Sequence, residues 1–518
     1  MKAPGRLKWI DLKKEGERYE QAFMRRDIAE CRQIVAKILK ANPKHIEARL
    51  MQARLMGVMC RFKESFAMFS NIINQAPSEK KQLIAMHAAR MASDFYDPTV
   101  SLRLYQQAID SSSTPDIRVM YAEHMVRMRN HAGALEQVRK ILHDDKNHAQ
   151  AILLDAKLET QDPQRKESLL RDLATTNHAS PKIKILANYD LAKHLDQIGD
   201  YEGAMKCLLQ AKSGLQEGSS KLLADRKFNR AGFESFGSNL TPTITREWRS
   251  QRFKPISGIE KMGMIVGHPR SGTTLLEQII DSHPMTQSAE ETENFITMAL
   301  LPSIGSKTNI LDGGVLKALQ DIQPHQIEAA RKEYRASIGR AISIHKNTSL
   351  LVDKNPSLSP NIGHFIRFFP ETKIVAMIRD PRDVVLSCFF QPMLPINPVS
   401  STWLDLEEAA AEYAAVMRGY ELSASALEDA VMELRYEDLV DNVEPFAKKV
   451  TSFLGQPWDE SVLNFHERAR EKIVRSPTAD AVTEKVHQRA KQRWRNYERY
   501  LEPCMKHLEP FLKHWNYS

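Results

Sequence analysis

A glycine-containing stretch near the middle of the chain holds residue types suited to binding an anion. It runs from Met264 to Pro284 and begins with three apolar residues, too few for a helix but typical of a buried parallel strand. A turn of small residues follows, in which Arg270 lies between Gly267 and Gly272, and apolar residues then recur at helical spacing. A helix that begins at such a turn presents unpaired backbone N–H groups and the positive end of its dipole, which together favour phosphate or sulfate.

The turn has the glycine spacing of a nucleotide-binding P-loop but lacks its lysine. Gly267 and Gly272 stand where the pattern G-x-x-x-x-G-K-[ST] places its glycines, whereas Thr273 occupies the lysine position. In a P-loop that lysine reaches the β- and γ-phosphates. Arg270 instead offers a planar fork of donors that can grip two oxygens of a phosphate or sulfate. The loop predicts a nucleotide with a 5′ anion and no γ-phosphate; an ordinary strand-to-helix turn is the alternative.

The residues of this turn resemble those of a known enzyme family. The run Pro-Arg-Ser-Gly-Thr-Thr at 269–274 resembles the 5′-phosphosulfate loop of sulfotransferases that use 3′-phosphoadenosine-5′-phosphosulfate (PAPS). The resemblance is to the tyrosylprotein sulfotransferase branch and its bacterial relatives with tetratricopeptide (TPR) repeats, and it extends from about Ile259 to the C-terminus. It implies that the donor nucleotide is bound by Arg270, Ser271, Gly272, Thr273 and Thr274.

PAPS carries a 3′-phosphate, so its binding site needs a second anion-binding group. Arg379 ends an apolar, strand-like run, and Ser387 lies eight residues later in a helix-prone segment. This spacing matches the family's 3′-phosphate motif, which implies that both side chains bind one phosphate; a surface salt bridge is the alternative for Arg379. The resemblance also implies that Tyr436 packs on the adenine, although a tyrosine there could equally belong to the core.

A C-terminal basic segment, residues 487–495, resembles the family's loop that closes over the nucleotide. By this resemblance Thr478 supplies a hydroxyl and Arg493 belongs to the basic loop that precedes and includes Trp494. A solvated helix face is the alternative explanation of the charges.

Sulfuryl transfer needs a group that stabilises the leaving oxygen and a base for the acceptor proton. Lys354 follows a short apolar run and can neutralise the bridging oxygen as the S–O bond breaks, with Arg270 beside it. The resemblance places the family's catalytic lysine at Lys354 and its catalytic glutamate at Glu291, in a Glu-Glu-Thr motif. His268 and His283 are rival bases.

One residue departs from the family pattern. Glu293 stands where the animal enzymes follow Glu-Glu-Thr with an arginine that helps to bind an acidic acceptor peptide. This puts specificity for a tyrosine peptide in doubt.

Composition limits the class of protein. At 518 residues, of which 42% are hydrophobic and 27% charged, the chain has the make-up of a soluble globular protein with two or three domains. Its net charge of +8 suits an anionic ligand or an acidic partner, and no nucleic-acid-binding motif accompanies it. The five cysteines are scattered and lack metal-ligand spacing, which predicts no bound metal and a reducing compartment. We find no signal peptide and no apolar run long enough to span a membrane. Together these observations predict a cytoplasmic protein.

The first 215 residues repeat with a helical period. A small residue recurs with spacings of 34, 36, 33, 34 and 36 residues, at Cys31, Ser65, Ser101, Ala134, Ser168 and Ala204. This period is that of TPR helical hairpins, in which a small residue lets two helices approach closely. We expect about six hairpins in a TPR-like repeat domain, residues 14–215, whose groove could bind a peptide or protein; an irregular helical bundle is the alternative.

The remainder divides into a linker and an α/β domain. Glycine and serine loosen the pattern over 216–258, which we interpret as the linker, part-helical around Lys221–Phe228. Over 259–518, strand-like runs at 264–266, 350–352, 373–378 and 434–439 alternate with helical stretches. This alternation predicts a P-loop-like sulfotransferase domain with a doubly wound parallel sheet, whose ligands gather at the C-terminal strand ends.

The sequence therefore predicts a PAPS-dependent sulfotransferase whose repeats bind the acceptor or a partner protein. The acceptor hydroxyl could belong to a protein tyrosine, a sugar or a small alcohol. Two alternatives remain, an ATP-dependent kinase and a TPR adaptor with an inactive sulfotransferase-like domain. The missing loop lysine disfavours the first, and the intact set of Arg270, Glu291, Lys354, Arg379 and Ser387 disfavours the second.

Overall fold

The chain forms two compact units. The computed structural model describes residues 11–111, 114–159, 161–255, 259–305, 314–392, 394, 396–471 and 488–517. The N-terminal unit holds the described residues of 1–146, 293–307 and 332–343, and the sheet-containing unit holds those of 147–292, 308–331 and 344–518. The predicted domain ranges 14–215, 216–258 and 259–518 are not those of the compact units and stay a prediction.

Helices pair into hairpins along the first 239 residues. In the N-terminal unit the pairs are α1 (Leu12–Met24) with α2 (Ile28–Ala41), α3 (Ile46–Val58) with α4 (Phe62–Gln75), α5 (Ser78–Ala92) with α6 (Thr99–Ser111) and α7 (Pro115–Arg127) with α8 (His131–Asp144). In the sheet-containing unit they are α9 (Ala149–Leu158) with α10 (Pro163–Thr175) and α11 (Pro181–Gln197) with α12 (Tyr201–Asn239). The predicted helical N-terminal region is confirmed, while its assignment to TPR repeats stays a prediction.

Most of the recurring small residues lie at the contact between paired helices. Ser65 Oγ donates to the Ala53 carbonyl at 2.7 Å, and Ser101 Oγ donates to the Ala89 carbonyl at 2.9 Å, each across 12 residues of chain. Ser168 is exposed on α10, so the prediction fails at that position. The fully buried members of the set are Cys31, Ser65, Ser101, Ala134 and Ala204.

The segment predicted as a linker is largely helical. Helix α12 continues for 39 residues without a break, and α13 (Pro242–Ser250) follows it. Arg226 and Arg230, on the distal part of α12, form ion pairs with the buried carboxylate of Glu412. These tertiary contacts hold a helix through Gly214 and Gly218, where intrinsic propensity disfavours one by about 1 kcal/mol per glycine.

The sheet is parallel throughout, as predicted. Its order within the described residues is β2-β3-β1-β4-β5, with the strands β1 (Lys261–Val266), β2 (Thr286–Glu290), β3 (Leu350–Lys354), β4 (Lys373–Ile378) and β5 (Val431–Arg435). Three predicted runs are β1, β3 and β4, and the fourth overlaps the end of β5. Strand β2 is absent from the sequence prediction. The register sets Ile265 and Glu290 on either side of Lys354, so the C-terminal ends of β1, β2 and β3 meet.

Helices cover both faces of the sheet, whose strands are largely buried. Four buried residues of the apolar core show how the layers meet, with Ile265 on β1 and Val375 on β4 packing in one cluster with Ile279 and Val450 on helices. The helices that follow β1 along the chain are α14 (Thr273–Asp281), α15 (Leu301–Ile304), α16 (Gly314–Asp321), α17 (Pro324–Ile342), α18 (Ile362–Phe368), α19 (Pro381–Phe389), α20 (Pro398–Thr402), α21 (Leu406–Ser425), α22 (Tyr436–Asp441), α23 (Val443–Phe453), α24 (Phe465–Glu471), α25 (Glu498–Leu501) and α26 (Met505–His514), and those of the N-terminal unit among them are α15 and the part of α17 from residue 332.

Two global features concern membranes and thiols. Across the part of the chain that the structure describes, no helix is long and apolar enough to cross a lipid bilayer. All five cysteines lie in that part, and each is a buried free thiol. Burial raises the pKa of Cys388 to about 12, so this thiol stays protonated beside the loop that follows β1.

Candidate active site

Two glycines with positive φ fix the loop after β1. Gly267 has φ +135°, and a Cβ there would lie 2.4 Å from the Met377 carbonyl oxygen on β4. Gly272 has φ +95°, and a Cβ there would lie 2.4 Å from Cδ2 of Tyr436. L side chains rarely adopt these angles, and neither neighbour leaves room for one. The loop therefore lies directly against β4 and the Tyr436 ring.

Helix α14 begins where this loop ends, without a capping side chain. Gly272 is its N-cap residue and offers no side-chain acceptor to the first turn. Thr273 and Thr274 are buried at the start of the helix. Ser359 Oγ holds the other end of the loop, 2.9 Å from the Gly267 nitrogen and 2.8 Å from its carbonyl oxygen. The first-turn N–H groups are thus left for a ligand, as the predicted anion loop requires.

Three residues predicted to bind the donor's phosphates meet beside the loop. Arg270, which has φ +76°, donates from Nε to Ser387 Oγ at 3.2 Å. Arg379, directly after β4, donates from Nη1 to the Arg270 carbonyl oxygen at 2.9 Å. Burial and the neighbouring Arg379 lower the pKa of Arg270. Because arginine keeps its proton, the electrostatic strain between the two cations is relieved when an anion binds between them.

Asp383 is a buried counter-charge at this cluster. Its Oδ2 lies 3.8 Å from Nη2 of Arg379, and its carboxylate accepts the backbone N–H groups of Gln492 and Trp494 at 2.8 Å each. Nη2 of Arg379 also donates to the Ala490 carbonyl oxygen at 2.6 Å. Burial raises the pKa of Asp383 to about 6. Together the two side chains tie the described part of the C-terminal basic segment to the end of β4.

The ammonium group of Lys354 lies among three carboxylates, hereafter the carboxylate cluster. Nζ is 2.7 Å from Oε1 of Glu291, 3.5 Å from Oε1 of Glu290 and 3.4 Å from Oε2 of Glu277. Burial alone would lower the pKa of Lys354, but the carboxylate cluster outweighs burial and raises it. Lys354 is therefore a fully buried cation that stays charged at neutral pH.

Glu291 is the accessible member of the carboxylate cluster. Its side chain is 47% exposed, against 0% for Glu277 and 2% for Glu290. It has φ +48°, and its backbone N–H donates to the Lys354 carbonyl oxygen at 2.7 Å. The structure thus brings the predicted base and the predicted lysine together, with the base facing solvent where an acceptor can approach.

The other residues predicted to bind the nucleotide either have partners within the protein or lie outside the described residues. Tyr436 is buried, with the Arg379 guanidinium 4.9 Å from its ring centre, so it packs beneath the loop as well as beside the arginine. Arg493 forms an ion pair with Asp196 at 3.0 Å, which occupies its guanidinium within the protein. Thr478 lies outside the described residues.

The two rival bases have structural partners. His268 is buried with its ring 5.0 Å from that of Tyr413, and burial lowers its pKa to about 4. His283 accepts the Met285 N–H at 3.2 Å on Nδ1 and lies 2.9 Å from the Pro457 carbonyl oxygen through Nε2. His268 Nδ1 also lies 2.9 Å from the Pro269 carbonyl oxygen, so both imidazoles contact backbone groups, and Glu291 is the better placed base.

Sequence reasoning missed three polar residues at this site, namely Glu277, Ser359 and Asp383. Glu277 lies on α14 between apolar positions, where a charged side chain predicts solvent exposure. Its partner Lys354 lies 77 positions further along the chain, and the strand order makes them neighbours. The signal that could have found these residues is a polar side chain on an otherwise apolar face.

The arrangement has the parts needed for transfer of an anionic group. Two arginines and a hydroxyl lie at the ends of β1 and β4, and a buried lysine with an accessible carboxylate lies at the ends of β3 and β2. Among the side chains that the structure describes, no group of three or more His, Cys, Asp and Glu could hold a metal ion.

Comparison with known proteins identifies the family of this region. Residues 264–460 match the model of the sulfotransferase family. This range contains the loop after β1, the carboxylate cluster, Lys354, and the pair Arg379 and Ser387. The resemblance to sulfotransferases predicted from the sequence is thereby confirmed.

Individual relatives are distant. An uncharacterised protein of Aquifex aeolicus is 22% identical over 76% of this chain, which spans about half (50%) of that relative's length. A putative protein-tyrosine sulfotransferase of Caenorhabditis briggsae is 23% identical over 51% of this chain and 91% of its own length. Among solved structures, the sulfotransferase domain of the Synechococcus PCC 7002 olefin synthase aligns with 50% of this chain and 98% of its own, at 20% identity and a TM-score of 0.34.

Proposed function

We propose that this chain, whose residues 264–460 are a sulfotransferase-family domain, transfers a sulfuryl group from PAPS to a hydroxyl acceptor. The observation that carries the proposal is the meeting of Arg270, Arg379 and Ser387 beside an uncapped helix, next to the Lys354–Glu291 pair. The first group suits a nucleotide with two separate phosphates. The second suits cleavage of a bond to sulfur beside a base.

The donor is held by its two phosphate groups. The first turn of α14 and the Arg270 guanidinium bind the 5′-phosphosulfate, since both offer N–H donors at the end of β1. Arg379 and Ser387 bind the 3′-phosphate, which ATP lacks. The alternative kinase reaction needs a group that reaches a γ-phosphate, and Thr273 stands in the place of that lysine.

Transfer then proceeds by in-line displacement at sulfur. The acceptor oxygen attacks the sulfur as Glu291 takes its proton, and the bond from sulfur to the 5′-phosphate oxygen breaks with its electron pair on that oxygen. Lys354 neutralises the charge that develops there. The products are a sulfate ester and adenosine 3′,5′-bisphosphate, so the reaction balances without a metal ion or an oxidant.

The helical hairpins are proposed to bind the acceptor or a partner protein in a TPR-like groove. A protein tyrosine is one candidate acceptor, and a sugar hydroxyl or small alcohol is the alternative. Glu293 forms an ion pair with Arg26 within the N-terminal unit, so its carboxylate is already neutralised. This pairing supports the doubt that position 293 serves to bind an acidic peptide. A cytoplasmic location, without nucleic-acid or membrane partners, remains a prediction.

Calorimetry with two nucleotides tests the proposal. Adenosine 3′,5′-bisphosphate should bind more tightly than ATP, and PAPS labelled on sulfur should then pass its label to a hydroxyl acceptor in the presence of excess chelator. Tighter binding of ATP, or loss of all transfer in chelator with recovery on adding magnesium, would favour the kinase instead.

A further inference from the structure

Glu277, a buried member of the carboxylate cluster, has no role in the reaction described above. Glu277 lies on α14, the helix that begins at the phosphate-binding loop, and its side chain is fully buried. Its Oε1 accepts the Ser288 hydroxyl at 2.7 Å, and its Oε2 lies 3.4 Å from Nζ of Lys354. The Ser288 backbone N–H in turn donates to Oδ1 of Asp281 at 2.6 Å. Glu277 is thus held between β2 and β3.

The proposed reaction makes unequal demands on the three carboxylates. An ammonium group has three N–H donors, and the Lys354 ammonium lies among three carboxylates. To neutralise the leaving oxygen, Lys354 must give up its contact with one of these carboxylates and contact the bound PAPS instead. Glu291 is the exposed partner, so it is released at least cost, and its release also frees the base to take a proton.

We propose that Glu277 is a positioning residue. It holds the Lys354 ammonium at the end of β3 while the lysine breaks its contact with Glu291 and contacts the bound PAPS. The inference rests on the proposed function. Without Glu277, the buried cation would be balanced by Glu290 alone whenever Glu291 acts as the base. Because Glu277 lies on the helix that follows the phosphate loop, it also sets the lysine relative to the bound 5′ end.

A charge-removing variant tests this role. Glu277→Gln keeps the size of the side chain and the acceptor for Ser288. We expect kcat for transfer from PAPS to fall on the order of 10- to 100-fold, since the reacting groups are misplaced, while KM for PAPS changes by less than about three-fold. Glu277→Asp, which keeps the charge, should restore most of the lost kcat, as expected if the charge facing Lys354 is what matters.

A stability measurement tests the pairing without any activity. Lys354→Met leaves the buried carboxylates without their cation and should lower Tm. Adding Glu277→Gln should raise the Tm of Lys354→Met, although the same change lowers the Tm of the wild type. Glu412→Gln is the matched control, because Glu412 is equally buried and ion-paired but lies in contact with Arg226. It should lower Tm in both backgrounds.

The outcomes separate this inference from the function on which it rests. If kcat of Glu277→Gln equals that of the wild type, or if Glu277→Gln lowers Tm equally in both backgrounds, Glu277 does not act through Lys354. If Glu277→Gln fails to fold alone, recovery of folding in the double variant supports the pairing and its absence overturns it. Failure of the wild type to transfer from PAPS overturns the proposed function, whereas the Tm comparison still decides the pairing.

Discussion

Arg379 donates hydrogen bonds to other groups of the chain and, in our proposal, also binds the 3′-phosphate. Its guanidinium donates to the carbonyl oxygens of Arg270 and Ala490 and lies near Asp383. Arg379→Ala should weaken binding of adenosine 3′,5′-bisphosphate by about 2–3 kcal/mol, the range for a charged hydrogen-bonded contact. It should also abolish preference for the 3′-phosphorylated nucleotide over its unphosphorylated counterpart, measured by calorimetry.

A neighbouring arginine provides the control for that experiment. Arg382 pairs with Asp380 and stacks on Trp494 at 3.6 Å. Arg382→Ala should lower affinity for both nucleotides alike, if at all. An Arg379→Ala protein that still prefers the 3′-phosphorylated form would show that the phosphate is bound elsewhere.

The choice of Glu291 as base predicts a large change in turnover from a small change in structure. Glu291→Gln should keep the donor affinity and lower kcat by roughly 10²–10⁴, the usual contribution of general-base catalysis. Glu290→Gln should lower kcat much less, because Glu290 is buried and cannot reach the acceptor. Stopped-flow or steady-state assays on both variants decide the matter. Normal turnover of Glu291→Gln together with an inactive His268→Ala would assign the base to histidine.

The buried carboxyl group of Asp383 predicts a pH dependence of stability. Its pKa of about 6 lies above the unfolded value of about 3.9, so the native state holds this proton where the unfolded state has lost it. The contribution of this group is therefore favourable at low pH and is lost as pH rises through about 6. Relative to wild type, Asp383→Asn should gain on the order of 2–3 kcal/mol in unfolding free energy between about pH 4 and pH 7.

Denaturant titrations at several pH values measure this difference. The exposed carboxylate of Asp441, which pairs with Lys491, offers the control. Asp441→Asn should change the unfolding free energy at pH 7 by about 1 kcal/mol or less, as is usual for an exposed ion pair. If the difference in unfolding free energy between Asp383→Asn and the wild type stays constant with pH, the pKa of Asp383 is not raised in the native state.

Residues that lie directly after an apolar strand could be predicted, whereas their buried partners could not. Arg270, Lys354 and Arg379 each follow such a run, and parallel strands bring their C-terminal ends to one edge. Glu277 and Asp383 carry no such signal, because each is defined by a partner from another element. A charged side chain on a helix predicts exposure unless its counter-ion is known.

At the scale of elements, the loop after β1 predicts a sharp response to one methyl group. Gly272→Ala would place Cβ against Tyr436 in addition to straining a φ of +95°. Gly199 is the matched control, since it has φ +89° but open space around it. Gly199→Ala should lose about 1–2 kcal/mol of stability, whereas Gly272→Ala should lose more and also abolish nucleotide binding. Equal effects in thermal unfolding and calorimetry would contradict the close packing.

Two elements that are rich in polar residues or contain glycines, β2 and α12, were not predicted in full from the sequence. Strand β2 reads Thr-Gln-Ser-Ala-Glu, which lacks the apolar character of the other strands, yet its residues are buried against polar partners such as Lys354. Helix α12 passes through Gly214 and Gly218 because its distal part packs through ion pairs to Glu412. The repeat period aligns Ser168 with the small residues of the other hairpins. In those hairpins the small residue lies four positions after the N-cap of the second helix, as Ser65 and Ala134 do. Helix α10 has Asp162 as its N-cap, so Lys166 takes that position and Ser168 does not.

At the scale of the whole molecule, the N-terminal unit is not a contiguous stretch of chain. Residues 293–307 and 332–343 belong to it by their contacts. Arg340 donates to the Met59 carbonyl oxygen at 3.2 Å, and Glu293 pairs with Arg26. The hairpins up to residue 146 therefore cannot be removed without stripping partners from two later segments.

Truncation tests this organisation. A protein that begins at Asn147 should have a lower Tm than the full chain or aggregate on expression, because residues such as Phe295 and Tyr334 lose the unit in which they are buried. A milder version is the charge exchange Arg26→Glu with Glu293→Arg, which should recover the stability that either single change loses. Equal Tm values for the truncated and full-length proteins would show that the later segments fold independently.

The interleaved N-terminal unit also has a consequence for synthesis on the ribosome. The first 146 residues emerge well before the segments that complete their unit, the last of which ends at Ser343. At roughly 5–20 residues per second, the interval is on the order of 10–40 s. During that time the surface around Met59, which Arg340 later contacts, is exposed to the translation machinery and to chaperones, and a slow codon or a stalled ribosome between residues 146 and 343 prolongs the exposure.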